Sequence, residues 1–238
     1  MFTEDNRKNA HNMIDWIFTK LFPACGMAER PEQVQLSHRM LDAMLDDRIA
    51  LYDAGTGIGK TYAYLVAGMA LLLFRAAMGL EFRPIVISTS SIALQKAITE
   101  EYIPLLSLVL MEGMWITAPI LAVIRKGKSH YVCDVRLEIH LRRVNLQKKN
   151  SEAAAALLSL RDHLDMDEVA HLSHYDQEHV CVPSVCDCGK EDCRYCKFLK
   201  GCFEKNASSR SAITICCWPM QSIGARIADR FYRTTRRL

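Results

Sequence analysis

The sequence predicts an α/β domain, a parallel sheet flanked by helices, carrying a cysteine-rich and mostly helical insertion late in the chain. Three observations lead there. Residues 49–101 read in the order strand, turn, helix, strand, helix, which makes a βαβ unit. A glycine-rich turn, DAGTGIGKT at Asp53–Thr61, joins the first strand of that unit to its helix. Six of the ten cysteines fall between Cys181 and Cys202.

Residues 5–20 and 33–47 are expected to be helical, with Met40, Leu41, Met44 and Leu45 spaced three to four apart. Pro23, Gly26 and Pro31 mark the loop between them. The apolar run Ile49–Tyr52 reads as a short strand, followed by the glycine turn and a helix from Lys60 to about Met78. Ala63–Leu80 is the most apolar window, close to the roughly 20 residues of a membrane span. Arg75 interrupts it and the glycine turn lies directly upstream, so it reads as a buried helix. Pro84–Thr89 is a β-branched run suited to a buried parallel strand, with a helix over Ile92–Glu101 behind it. Residues 134–172 are charged and helical, residues 180–202 carry the cysteines with little strand pattern, and a strand returns at Ala212–Cys216 before a basic tail. The expected organisation is an N-terminal helical segment (1–29), a first α/β part around the glycine turn (30–125), an inserted cysteine-rich domain (126–205) and a return to the first domain (206–238).

With 238 residues, half of them apolar, the chain can bury a sizeable core, which excludes disorder as a description of the whole. A balance of 30 basic against 27 acidic residues does not by itself announce a nucleic-acid binder. The first residues mix acidic and basic side chains, unlike the basic start and unbroken apolar core of a secretory signal, so the expected location is the cytoplasm, with no membrane partner. In that compartment a cysteine cluster points to metal rather than to disulfides.

Phosphate chains are anionic, and a loop holds them when several backbone N–H groups point inward at close range. Gly55, Gly57 and Gly59 permit the tight backbone and close approach this requires, and the N-terminus of the next helix adds its dipole. Lys60 is placed to reach the β- and γ-phosphates and the Thr61 hydroxyl to ligate Mg²⁺. Ala54, Thr56 and Ile58 complete the loop; Ala54 stands where the usual pattern has its first glycine. Lys60 and Thr61 are the candidate catalytic residues, and ATP with Mg²⁺ the expected ligands.

Around this loop the residues resemble the DinG/XPD-like branch of superfamily 2 helicases. Arg30-Pro31-Glu32-Gln33 upstream, Ser88-Thr89-Ser90 with Leu94-Gln95 downstream, the segment Ile124–Cys133, Cys202-Phe203 and ITICCWPM carry the likeness, from about Arg30 to Met220. The resemblance implies a RecA-like domain, an adenine-side role for Arg30 and Gln33, and a single-strand path along the Ser-Thr strand end and the Leu94-Gln95 helix. Cys133 then supplies the first ligand of a 4Fe-4S cluster, completed by Cys193, Cys196 and Cys202, with Cys188 in reserve. His130 replaces the family's usual Asn, Asp53 its Glu, and Cys216-Cys217-Trp218 its Asn-His pair. No DEAH box follows; Asp167-Glu168-Val169-Ala170-His171 reads as a helical surface.

Cysteine spacing alone leaves a rival: Cys186, Cys188, Cys193 and Cys196 offer two close pairs for a tetrahedral Zn²⁺, and reduced structural thiols are a third reading. Basic side chains at Arg125, Lys126, Lys128, Arg142, Arg143, Lys148 and Lys149 suit phosphate neutralisation, with Tyr131 or Tyr195 as base-stacking platforms. The function these motifs imply is that of an ATP-dependent DNA helicase of the DinG type, unwinding 5′ to 3′ on single-stranded or forked DNA. This chain would be its N-terminal portion, and a recruiting protein complex is a further partner. The alternative, favoured by the missing acidic box, is a nucleotide-dependent DNA-binding or adaptor module without turnover. A small-molecule kinase is disfavoured by the RPEQ and LQ context.

Overall fold

A computed structural model describes residues 4–81, 83–185, 193–208 and 213–217. They are mostly helical, with three short strands in one sheet of order β1-β3-β2. The chain divides into two compact units. The first is Met1–Ile87 with Ser91–Val123 and Asn206–Ile215, and the body of the second is Ile124–Lys205.

In the first unit α1 (Glu4–Trp16) passes through a π-helical turn, Ile17–Leu21, into the short α2 (Phe22–Ala24). α3 (Pro31–Leu45) starts with proline at its first position, where no N–H is needed, after an extended Arg30 (φ −130°). α4 (Lys60–Ala77) follows the glycine turn and is buried on nearly every side, through Ala63, Leu65, Val66, Met69, Ala70, Leu72 and Phe74. Gly68 permits this: a Cβ there would lie 3.3 Å from two Ile85 carbons, so its absence lets α4 approach β1 (Ile85–Thr89). α5 (Ile92–Ala97) is capped by the Ser91 hydroxyl, which accepts from the Leu94 N–H at 3.1 Å. It runs through a second π turn, Ile98–Tyr102, into α6 (Ile103–Glu112), and β2 (Ala122–Arg125) comes next. Ile14, Phe18, Leu41, Leu65, Met69, Ile98, Leu106 and Leu110 are among the fully buried side chains of the single core that α1, α3, α4 and α6 share. Each such side chain stabilises the fold by about 1.5–3 kcal/mol relative to exposure. β3 (Ile213–Cys217) lies between β1 and β2.

The second unit contains α7 (Asp134–Arg143), α8 (Ser151–Ser159), α9 (His174–Val180) and α10 (Arg194–Ser208). Val132, Leu137, Leu157, Leu160, Met166 and Val180 form its main core, and Tyr131, Cys133, Val182 and Tyr195 a smaller one. Asp176, fully buried at the start of α9, accepts hydrogen bonds from His140 Nε2 (2.8 Å), Lys149 Nζ (2.7 Å) and the Ser173 hydroxyl (2.6 Å). Burial alone pushes this carboxyl up; the three hydrogen bonds and the Lys149 charge outweigh it and hold Asp176 below the usual carboxylate range.

Three sequence expectations are corrected. Ile49–Tyr52 is not a strand but irregular backbone, with Leu51 96% exposed. A short apolar run is compatible with a strand, but a strand needs a neighbour for its N–H and C=O groups; this segment is tied to α3 by the Tyr52 hydroxyl, which donates to the Arg39 carbonyl at 2.7 Å. The described part is therefore more helical than the α/β reading anticipates. The Asp167–His171 stretch forms only a 3₁₀ turn at Met166–Glu168, because Asp167 pairs with Lys126 and His130. The expected helix over 92–101 extends to Glu112 through the π turn. Among the described residues no helix is long and apolar enough to cross a membrane.

Candidate functional site

The loop Asp53–Gly59 leaves the irregular segment after α3 and enters α4. Gly57 and Gly59 have φ of +84° and +83°, the left-handed region that side-chain-bearing residues rarely adopt, whereas Ala54 is not among the positive-φ residues. Gly59 turns the chain directly into the first residue of α4, Lys60.

Three side chains organise the loop. The Lys60 ammonium donates to the carbonyls of Ala54 (2.9 Å) and Gly55 (3.1 Å), curling the loop around its own cation. Arg30 donates to the Gly57 carbonyl at 2.7 Å, and the buried Gln33 donates through Nε2 to the Gly59 carbonyl at 2.6 Å. Thr61, in the first turn of α4, hydrogen-bonds Tyr64, whose hydroxyl is pushed up in pKa chiefly by burial. Two loop carbonyls are thus tied to α3 and its N-terminal flank, and two to Lys60. Beside the loop lies a cavity of about 310 Å³, lined by Glu32, Leu36 and Arg39 of α3 and by Tyr52, Asp53 and Gly55.

The sequence places Arg30 and Gln33 near the loop only through the resemblance; the structure gives both a contact with it that the motif does not reveal. Gly59→Ala tests that contact. A Cβ at Gly59 would run into the Gln33 amide nitrogen and lie 2.7 Å from its Cδ, on top of an unfavourable positive φ. The expected result is a loss of about 2–3 kcal/mol in unfolding free energy by urea titration, from strain plus the broken hydrogen bond.

In the second unit, Cys133 and Cys202 are buried, Cys193 is half-buried and Cys196 exposed. Cys133 and Cys193 share the small apolar cluster around Tyr131 and Tyr195. Among the described residues no three or more His, Cys, Asp or Glu side chains gather into a metal site. Cys186 and Cys188 lie outside the described residues.

The expected nucleic-acid surface is partly spent on internal contacts. Lys126 is only 10% exposed and bonds Asp165 (2.6 Å) and Asp167 (2.8 Å). Burial by itself lowers the Lys126 pKa, but these two carboxylates raise it above the ordinary value. Lys149 serves Asp176, and Lys128 donates to the Ser184 carbonyl at 2.9 Å. Arg142, Arg143 and Lys148 are exposed. Tyr131 is 3% exposed and packs against Tyr195 and Phe198 with ring centroids 5.2 and 5.1 Å apart, and Tyr195 is buried too, so neither serves as a stacking platform. Burial also pushes the Tyr131 hydroxyl strongly up, and that oxygen accepts from the Lys126 N–H at 3.0 Å.

No family model matches the chain. Among curated proteins, it is 32% identical over 113 residues to a protein named 3′-5′ exonuclease DinG from Bacillus subtilis (strain 168), covering 48% of this chain and 11% of that protein. It is 28% identical over 124 residues to a protein of the same name from Staphylococcus aureus (strain USA300), covering 52% of this chain and 12% of that one. The chain is similar, distantly, to proteins named DinG. The likeness is partial: it takes in about half of this sequence, which spans about a tenth of the length of the curated relatives it matches. The DinG relationship agrees with the resemblance read from the glycine turn and its flanking motifs.

Proposed function

We propose that this chain is the ATP-binding part of a DinG-type DNA-processing enzyme, with Ala54–Thr61 holding the triphosphate of ATP·Mg²⁺. The observation that carries this reading is the loop itself: two positive-φ glycines, carbonyls turned to Arg30, Gln33 and Lys60, and a lysine and a threonine at the start of an 18-residue helix. Phosphate binding draws Lys60 from the Ala54 and Gly55 carbonyls to the anion, while Arg30 and Gln33 keep the rest of the loop in shape. Thr61 supplies the hydroxyl for Mg²⁺. These residues bind and orient the nucleotide.

In the whole protein the proposed activity is ATP-driven 5′-to-3′ unwinding of single-stranded or forked DNA, with exposed Arg142, Arg143 and Lys148 as phosphate contacts. The thiols Cys133, Cys193, Cys196 and Cys202 are the proposed cluster ligands, a reading supported by the common apolar surroundings of Cys133 and Cys193. Bound there, a 4Fe-4S cluster would cross-link α10 to the segment before α7; iron and zinc analysis of anaerobically prepared protein separates cluster from zinc and from free thiols. The exonuclease name of the relatives favours a second reading, nucleolytic removal of nucleotides from 3′ ends. One assay on end-labelled forked DNA with a 5′ tail tests both. Intact strands released only with hydrolysable ATP are the expected result, and ATP-independent shortening from the 3′ end would replace the helicase reading with the nuclease one.

A further inference from the structure

Arg7, His11 and Asp15 recur at four-residue spacing along α1, and His38 and Asp42 along α3 with Asp46 at its C-terminal cap, so each triplet forms one stripe. The stripes meet antiparallel. His38 Nε2 lies 2.8 Å from Asp15 Oδ1, His11 Nε2 lies 3.0 Å from Asp42 Oδ1, and Arg7 pairs with Asp46. Between the two histidines the Nδ1 atoms face each other at 2.7 Å, with the rings stacked at 30°.

These distances fix a proton count. An ionised carboxylate only accepts hydrogen bonds, so each Nε2 must carry a proton to satisfy its aspartate. That leaves two bare Nδ1 atoms, whose lone pairs repel at 2.7 Å unless one proton sits between them. Three protons on four ring nitrogens satisfy every contact, which makes the pair one imidazolium and one neutral ring. A fourth proton sets N–H against N–H, and loss of the third sets lone pair against lone pair. We propose that His11 and His38 form a proton-gated clasp between α1 and α3, closed only in this three-proton state.

The surroundings leave the decision to the four groups themselves. Each histidine side chain is 25% exposed, so protons exchange with solvent. Asp46 is occupied by Arg7 and Arg48 at the far end of the stripe. α4 packs against both helices, but its two charged side chains point elsewhere: Lys60 to the loop carbonyls and Arg75 to the Glu81 carbonyl. Lys20, in the π turn after α1, is exposed. Imidazole is the side chain whose ordinary charge change lies between pH 5 and 8. α3 is also the helix that presents Gln33 to Gly59, so the clasp steadies the brace of the loop. The proton count does not rest on what the loop binds.

Ring-nitrogen NMR of the full chain, together with amide hydrogen exchange of α1 corrected for intrinsic rates, tests the clasp between pH 5 and 9. Two coupled titration steps shared by the two rings are expected, with α1 protection maximal between them. Protection should fall about tenfold on either side, the order of one charge-assisted hydrogen bond. His38→Gln should abolish the maximum, because a neutral amide cannot count protons. Independent one-step titration of each ring, or the same protection profile in the variant as in the parent, would overturn the proposal. Should the variant fail to fold, the parent's nitrogen spectra decide alone.

Discussion

Replacing Lys60 with alanine lowers the affinity for Mg·ATP by roughly a hundredfold, about 2.7 kcal/mol, in calorimetric titration. The expectation rests on what the side chain does. Lys60 is exposed and donates to two carbonyls of its own loop, so its removal leaves the packed core untouched. What disappears is the one ammonium at the start of α4 able to meet the outer phosphates, a point charge whose hydrogen bonds to a dianionic group are about twice as strong as neutral ones. Unchanged thermal stability with the affinity lost is the pattern expected; unchanged affinity would remove the loop from the site.

Asp176→Asn destabilises the second unit by about 3–5 kcal/mol, the usual cost of removing the charge of one member of a buried ion pair. His140 and Lys149 both aim at this carboxylate, and the side chain of Asp176 has no exposure to water. Amide exchange in α7 and α9 reads the loss directly, which suits a chain of two units better than a single melting curve. The pH dependence has a definite sign. The folded-state pKa of Asp176 is depressed, so its contribution is fully present above the ordinary aspartate range of about 3.9 and fades as pH falls through the depressed value. The parent should lose protection in α7 and α9 under acid and the Asn variant should show that limb flattened.

Much of the helical framework is legible in the sequence because local signals fix it. Spacing of three and four among Met40, Leu41, Met44 and Leu45 marks α3, although Pro31, read as part of the loop, is its first residue, and the apolar stretch after Lys60 marks α4 as a buried helix. The glycine spacing likewise appears in the structure as positive φ at Gly57 and Gly59. What the sequence hides is pairing over distance. Ile49–Tyr52 has strand chemistry but finds no partner strand, a fact no four-residue window contains. Lys126 and Lys149 read as surface cations until Asp165, Asp167 and Asp176, between 27 and 41 residues away, claim them. Tyr131 and Tyr195 look equally like stacking platforms and like core; burial decides between these, and burial belongs to the fold. Gln33 illustrates the same limit within the site, since its hold on Gly59 depends on how α3 lies against the loop.

That the amides of residues 55–61 enclose the anionic end of a nucleotide is tested most directly by backbone amide shifts on adding Mg²⁺ with a non-hydrolysable ATP analogue. Large, saturable shifts are expected at Gly55, Gly57, Gly59, Lys60 and Thr61, absent in Lys60→Ala at the same concentration. Shifts confined to another part of the chain, with these five resonances unmoved, would contradict the assignment of the loop to phosphate.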